Sequence, residues 1–456
     1  MSAEHTASAC QTLAALRERT LGAGELLDAM IERIRASTLG AFELLDECGA
    51  RAQAERADAA LAAGAAGPLA GLPLVVKDVI DVAGLPTRGG TASWRRLPER
   101  DADCVAALRS AGAIVIGKAH TNELAFGIDG RNPHRPPCRN PHDATRLPGG
   151  SSSGPAVAVA AGLAFAGLGT DTSGSIRVPA ALCGVAGLRP THGLLSRRGA
   201  LALAPSYDVV GPLARCVADL QLLFAVLLER ACAADVTSVS GGRAGIDRGG
   251  GEGAIERVLL TENLLAPDAC EASIAAAVRA AAGALADDRV ELGSIAIPEL
   301  DEALAVHRDV QLPEAAESVD ALGVREDELG REVRDRVRSA REIGAERHAR
   351  ALQDRARIAA AVDRALPPGT ALLAPGCAIA APPREAQQWR FDAGRVSSQR
   401  DALLASTVPL TQAPGPVLSV PLGLVERLPV GAQLLARPGC DTQLLALGAR
   451  LERAMR

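Results

Sequence analysis

A helix-patterned decapeptide, DCVAALRSAG (103–112), runs without a break into the aliphatic stretch AIVIG (113–117). An amphipathic helix leading into a strand with no polar face is the repeating unit of an α/β sheet, because such a strand must be covered on both sides. LPLVV (72–76) is a second run of this kind and ends at Lys77. GELLDAMIERIRAS (24–37) and residues 50–62 space their apolar positions for amphipathic helices. IERVLL (255–260) and RVELG (289–293) read as strands around a helix at 271–286. Further strands are predicted at ALLAP (371–375), VLSVP (417–421) and GAQLLA (431–436), before a closing helix near 441–455. PAVAVAAGLAFA (155–166) predicts a small-residue helix suited to close packing, and GGRAGIDRGGGEG (241–253) a surface loop. A long charge-laced helical region covers about 325–364, its charge reading as a solvated face. No internal repeat is apparent, and the pattern fits one mixed α/β domain over residues 1–456 with a more helical, variable portion at about 240–400.

Composition narrows the function classes. Apolar residues make up 48% of the chain and aromatics only 2%, so the core is large and aliphatic. A net charge of −5 with both signs interspersed offers no footprint for nucleic acid or an anionic membrane. No apolar run approaches the roughly 20 residues of a membrane span, and MSAEHTASACQTLAALRERT lacks the pattern of a secretory signal. The ten cysteines form no CxxC pair, which predicts small core residues rather than a zinc site or a disulfide framework. The cytoplasm is the expected compartment.

Two Gly/Ser turns in LPGGSSSGPAVAVAAGLAFAGLGTDTSGSIRVPAA (147–181) concentrate the small polar residues. The first holds Ser151, Ser152 and Ser153, the second Thr172-Ser173-Gly174-Ser175. Glycine permits close backbone approach, so such turns can aim N–H groups at a phosphate or at the oxyanion of an attacked carbonyl. A phosphate loop is suggested by G-x-x-x-x-G-K at Gly112–Lys118, but the residues between the glycines form a buried strand and Ala119 replaces the metal-binding Ser or Thr. His120, His134, His142 and His192 sit in polar, turn-like contexts that predict surface or loop-stabilising roles. Only two of the 49 basic residues are lysines, Lys77 and Lys118. Arginine keeps its proton, whereas a buried lysine can become a neutral base. A composition biased to arginine also leaves stray lysines by chance, so scarcity alone does not decide. Lys77, at a strand end, is the candidate base, with serines of the two turns as candidate nucleophiles.

The chain resembles the amidase signature family. The likeness is carried by GLPLVVKDVIDVAGLPTRGG, GKAHTNELAFG, PGGSSSG and GTDTSGSIRVPAALCGVAGLRPTHG, and extends through SYDVVGPLAR (206–215) to GPVLSVPLG (415–423) and LPVGAQLLA (428–436). It is strongest over 71–215 and loosest from about 240 to 400. The resemblance implies an α/β fold with a central twisted mixed β-sheet covered by helices on both faces, and no metal or other cofactor. It places the family's Ser–Ser–Lys triad on Lys77, Ser151 and Ser175, the two serines 24 positions apart. It also implies a cis peptide bond at Ser151 and an oxyanion hole from the backbone of Thr172, Ser173, Gly174 and Ser175. Ser152 is then placed either to hydrogen-bond Lys77 or Ser175 or to serve as a turn residue. Asp171 and Arg177 would pin the loop, and Phe126–Asp129, Gly127 and Ile128 included, would line the substrate pocket. Lys118 would pair with a carboxylate near the sheet. Ser173-Gly174, where the family usually carries Gly-Gly, and Ser153-Gly154-Pro155 depart from the pattern without removing a catalytic atom.

Family members hydrolyse arylacetamides, indoleacetamide, carboxybiuret, allophanate and fatty amides. The implied activity is therefore a stand-alone amidohydrolase that takes a small amide through a serine acyl-enzyme and releases ammonia or an amine. GTDTSGSIRVPAALCGV is similar to the carboxybiuret-type branch, although this core is widely shared. The expected partner is a small-molecule amide, with no nucleic acid and no membrane, and self-association as a homodimer is left open. The alternative is the glutaminase component of a tRNA-dependent Asp/Glu amidotransferase complex. That component usually shows an acidic, tyrosine-bearing segment where this chain has RDALLASTVPL (400–410). A binding protein without catalysis is a third reading, opposed by the three filled triad positions.

Overall fold

The computed structural model describes residues 7–234 and 253–455. Thirteen strands are formed among them. They are β1 (Phe42–Leu45), β2 (Pro73–Lys77), β3 (Ile114–Ala119), β4 (Ala166–Asp171), β5 (Ala186–Arg189), β6 (Val209–Ala214) and β7 (Arg257–Thr261). The remainder are β8 (Glu291–Ile295), β9 (Thr370–Pro375), β10 (Gln388–Arg390), β11 (Val396–Ser398), β12 (Val417–Val425) and β13 (Leu428–Leu435). Eleven of them form one sheet in the order β1-β3-β2-β4-β6-β5-β12-β13-β9-β7-β8, and β10 and β11 form a separate pair. The sheet is mixed: β2 lies parallel to β3 and β4, whereas β4 pairs antiparallel with β6.

Alternation along the strands divides the core into two. Ala371 and Leu373 of β9 join Leu418, Val420, Ala432 and Leu434 in a large cluster shared with the Ala272–Asp287 and Asp441–Ala454 helices. Leu372 and Ala374 of the same strand join Val417 and Leu435 in a second cluster, closed by Ile358 and Val362 of the Ala345–Arg364 helix. Successive side chains of a strand point to opposite faces, so these are the two faces of the sheet, each covered by helices.

The helices predicted at 24–37 and 50–62 are formed as Ala23–Ala36 and Glu47–Ala62, and the one at 103–112 as Asp103–Ser110. Three expectations are corrected. The small-residue helix is shorter than 155–166: it spans Ser153–Ala160, and Gly162 at φ 67 ends it. The chain then enters β4, AGLGTD, which composition disguises as a turn. Its glycines are needed for contact, because a Cβ at Gly169 would come within 2.7 Å of Ser152 Oγ and one at Gly167 within 2.8 Å of Pro155 Cβ. The charge-laced region is two helices, Arg331–Arg341 and Ala345–Arg364, separated near Gly344 and preceded by an unpredicted helix, Ala303–Ala321. Its charge is not wholly a solvated face, as the site below makes plain. The predicted loop at 241–253 lies, but for its last residue, outside the described residues. Cys104, Cys138, Cys183, Cys216, Cys270 and Cys377 are buried and unbridged, while Cys10 and Cys48 are exposed. Among the described residues no helix is long and apolar enough to cross a membrane.

Candidate active site

Lys77 ends β2 between β3 and β4 and is fully buried. Its Nζ donates to Ser151 Oγ at 2.8 Å and to Thr170 Oγ1 at 2.8 Å, and no carboxylate forms an ion pair with it among the described residues. Burial pulls its pKa down to about 7, against the opposing fields of Asp171 and Asp208. Lys118 is treated differently by the fold. Val76 lies opposite Lys118 in the β2–β3 ladder and Lys77 opposite Ala119, so the two lysines occupy opposite faces of the sheet. On its face Lys118 sits 3.0 Å from Asp78 Oδ1 and donates to Thr87 Oγ1 at 3.0 Å, the carboxylate pairing expected of it.

The first Gly/Ser turn carries a cis Gly150–Ser151 peptide, and all three of its serines are buried. Ser152 does not direct its hydroxyl to Lys77 or Ser175. That hydroxyl donates to the Thr170 carbonyl at 3.2 Å, while the Ser152 N–H donates to the Ser175 carbonyl at 3.1 Å. Read as G-x-S-x-G, Gly150–Gly154 would make Ser152 the nucleophile, but its hydroxyl is held against β4 instead. Ser153 opens the following helix and lies 2.9 Å from His120 Nδ1. His134 meets Glu123 at 2.9 Å, His142 the Cys183 carbonyl at 3.1 Å and His192 the Pro205 carbonyl at 3.2 Å, the loop-tying roles expected of them.

The second turn rests on a buried ionic platform. Asp171 receives the N–H groups of Gly174 (2.9 Å) and Ile176 (3.1 Å), and Arg177 grips it through Nε at 3.0 Å and Nη2 at 3.1 Å. Burial disfavours the Asp171 carboxylate, but Arg177 and Arg189 outweigh it and hold the carboxyl well below its ordinary range. Arg177 is in turn fastened by the Thr407 carbonyl, Thr411 Oγ1 and Gln433 Oε1 at 2.9, 2.6 and 3.0 Å. Gly174 has φ 129, and a Cβ there would meet Thr407 Oγ1 at 2.4 Å, so glycine is required. Because its N–H is taken by Asp171, Gly174 drops out of the four expected oxyanion donors. The N–H groups of Thr172, Ser173 and Ser175 have no acceptor among the described residues.

A small cavity opens beside Ser173 and Ser175. Phe126, Gly127 and Ile128 line it together with Gln311 and Arg400. Asp129 turns away, accepting from Asn122 Nδ2 and Arg131 Nη1 at 2.9 Å each. A larger cavity of about 210 Å³ reaches Thr170, Thr172 and Asp208, and Ala125 and Leu203 line both cavities.

Several polar residues here were not singled out by motif. Ser173 Oγ lies 2.7 Å from His307 Nε2 and accepts from Gln311 Nε2 at 3.0 Å. His307 and Gln311 stand four residues apart on the Ala303–Ala321 helix, hence on one face. A polar pair at that spacing on an otherwise apolar face was the available signal. Arg336, from the charged Arg331–Arg341 helix, stacks over Phe126 at 4.0 Å and donates to Gln311 Oε1 at 3.4 Å. Among the described residues no cluster of His, Cys, Asp or Glu is arranged to hold a metal.

A buried lysine thus reaches a serine hydroxyl, and a second serine, Ser175, lines a cavity. The sequence profile of the amidase family matches residues 25–445. The A-type component of the glutamyl-tRNA(Gln) amidotransferase of Roseiflexus castenholzii is 35% identical over 94% of this chain and 92% of that protein. A crystal structure described as an amidase superposes with a TM-score of 0.88 at 33% identity, covering 98% of this chain and 99% of its own. A solved structure described as a vestigial protein complex that reveals the evolutionary origins of an s-triazine catabolic enzyme gives a TM-score of 0.88 at 29% identity, with 98% of each chain covered. The chain belongs to the amidase signature family. It is an enzyme of the class that hydrolyses carbon–nitrogen amide bonds.

Proposed function

We propose that this protein hydrolyses a small amide through an acyl-enzyme on Ser175, with Ser151 relaying protons to and from Lys77. The observation that carries the reading is the 2.8 Å contact between Lys77 Nζ and Ser151 Oγ in a site where no carboxylate fixes the ammonium. Neutral Lys77 accepts the Ser151 proton as Ser151 takes that of Ser175, and Ser175 Oγ bonds to the amide carbonyl carbon. The oxyanion so formed faces the N–H groups of Thr172, Ser173 and Ser175. Each such donor contributes about 3–4 kcal/mol in hydrolases where one has been removed. The C–N bond then breaks as the proton returns from Lys77 through Ser151 to the leaving nitrogen, and water attacks the acyl-enzyme by the same relay. Ser152 acts in this scheme by tying the two turns together.

The test is ammonia release by the purified chain from a panel of small amides, ureides and glutamine. The resemblance of GTDTSGSIRVPAALCGV to the carboxybiuret-type branch is the reason to include ureides. Similarity to the amidotransferase component over nearly the whole chain supports a second reading, the glutaminase of a tRNA-dependent complex. Release from glutamine only when the other components of such a complex are present would select it over the first.

A further inference from the structure

The cavity beside Ser175 has a cationic end that the hydrolytic chemistry does not use. Arg400, in the first turn of the Gln399–Leu404 helix, lines that cavity with Gln311, Phe126 and Ser175. Its Nη1 is buried from solvent and has no hydrogen-bond partner. A buried guanidinium N–H without an acceptor is costly, and a carboxylate is the acceptor whose planar geometry suits it.

The neighbouring acids leave this demand unmet. Glu332 comes no nearer than 4.0 Å, and its side chain is 53% exposed, so water screens it. Asp129 is already paired with Arg131 at 2.9 Å, and Asp401 is exposed. Arg336 adds a second positive charge above Phe126. The lining of the cavity thus carries one guanidinium group, that of Arg400, and no carboxylate, with Arg336 behind Phe126.

We infer that the substrate is an amide bearing a carboxylate, which Arg400 Nη1 binds while the amide carbonyl lies at Ser175. The inference rests on the hydrolase reading above and specifies its substrate class. The cavity is small, which limits the acid to a short chain between the two groups. Gln311 is oriented by Arg336, which takes its Oε1, and by Ser173, which takes its N–H, so its amide borders the path without competing for Arg400.

The test is binding to the Ser175→Ala protein, which separates recognition from turnover. Succinamate and butyramide differ mainly in a carboxylate replacing a methyl group, and their dissociation constants are measured by calorimetry. Succinamate is expected to bind more tightly than butyramide. In the Ser175→Ala/Arg400→Gln protein that preference is expected to shrink by about 10- to 100-fold, the scale of a hydrogen bond to a charged group. Equal affinities in the parent protein, or a preference that survives Arg400→Gln, would overturn the inference. The parent measurement decides even if the double variant fails to fold. Failure of the wild-type chain to hydrolyse any amide would instead count against the hydrolase reading.

Discussion

Ser173 Oγ lies 2.7 Å from Nε2 of His307, which joins the second Gly/Ser turn to a helix 134 residues further along the chain. Burial, aided by Arg355 and Arg400, holds the His307 pKa well below its ordinary value, so the imidazole is neutral across the working range. It therefore positions the turn without exchanging protons. His307→Gln is expected to destabilise the fold by about 1–3 kcal/mol, the cost of disturbing a buried polar contact. Its pH–rate profile is expected to keep the wild-type midpoint. Chemical denaturation and a pH series check the two halves, and a shifted midpoint would make His307 part of the proton path.

Lys77 sets the expected profile. A base must be unprotonated, so activity rises with pH through about 7, the value to which burial brings this lysine. Lys77→Arg keeps the charge but cannot lose the proton, and about 10²- to 10⁴-fold of kcat is expected to disappear. Ser175→Ala should abolish turnover with the fold intact by circular dichroism. Retained hydrolysis in either variant would contradict the mechanism.

Lys118 and Asp78 form a buried pair 3.0 Å apart, away from the reacting groups. Lys118→Ala strands a buried carboxylate and is expected to cost about 3–5 kcal/mol. Lys118→Met with Asp78→Asn removes both charges and should cost less than the single change. Urea midpoints of the two variants test this ordering.

Leu203, with Ala125, lines both the small cavity at Ser175 and the larger one at Thr170. Leu203→Ala should merge them at a cost of about 2–5 kcal/mol in stability. The expected signature is a rise in kcat/KM for aryl or branched amides relative to acetamide. No change in that ratio would mean that Leu203 does not bound the substrate.

The position of Lys77 was legible because it depends on local chain properties: a continuous aliphatic strand ends there, and two Gly/Ser turns follow. β4 was not legible, because its glycines, which suggest a turn, are there to let Ser152 and Pro155 pack against the strand. His307, Gln311 and Arg400 escaped for another reason. They come from segments far along the chain, and only the packing of the Ala303–Ala321 and Gln399–Leu404 helices brings them to Ser173 and Ser175. The sequence around Arg336 is dominated by solvated charge, which conceals the one guanidinium that turns inward onto Phe126.

Arg177, which braces Asp171 beneath the second Gly/Ser turn, is held by Thr407, Thr411 and Gln433. A ribosome adds those three 230, 234 and 256 residues after Arg177 itself. A nascent chain that has emerged only as far as its helical middle already contains Lys77, Ser151 and Ser175, yet lacks the groups that fix the turn. Under the proposed mechanism, activity is thereby tied to synthesis of the late strands and helices, because Lys77, Ser151 and Ser175 come early and the brace of their turn comes late.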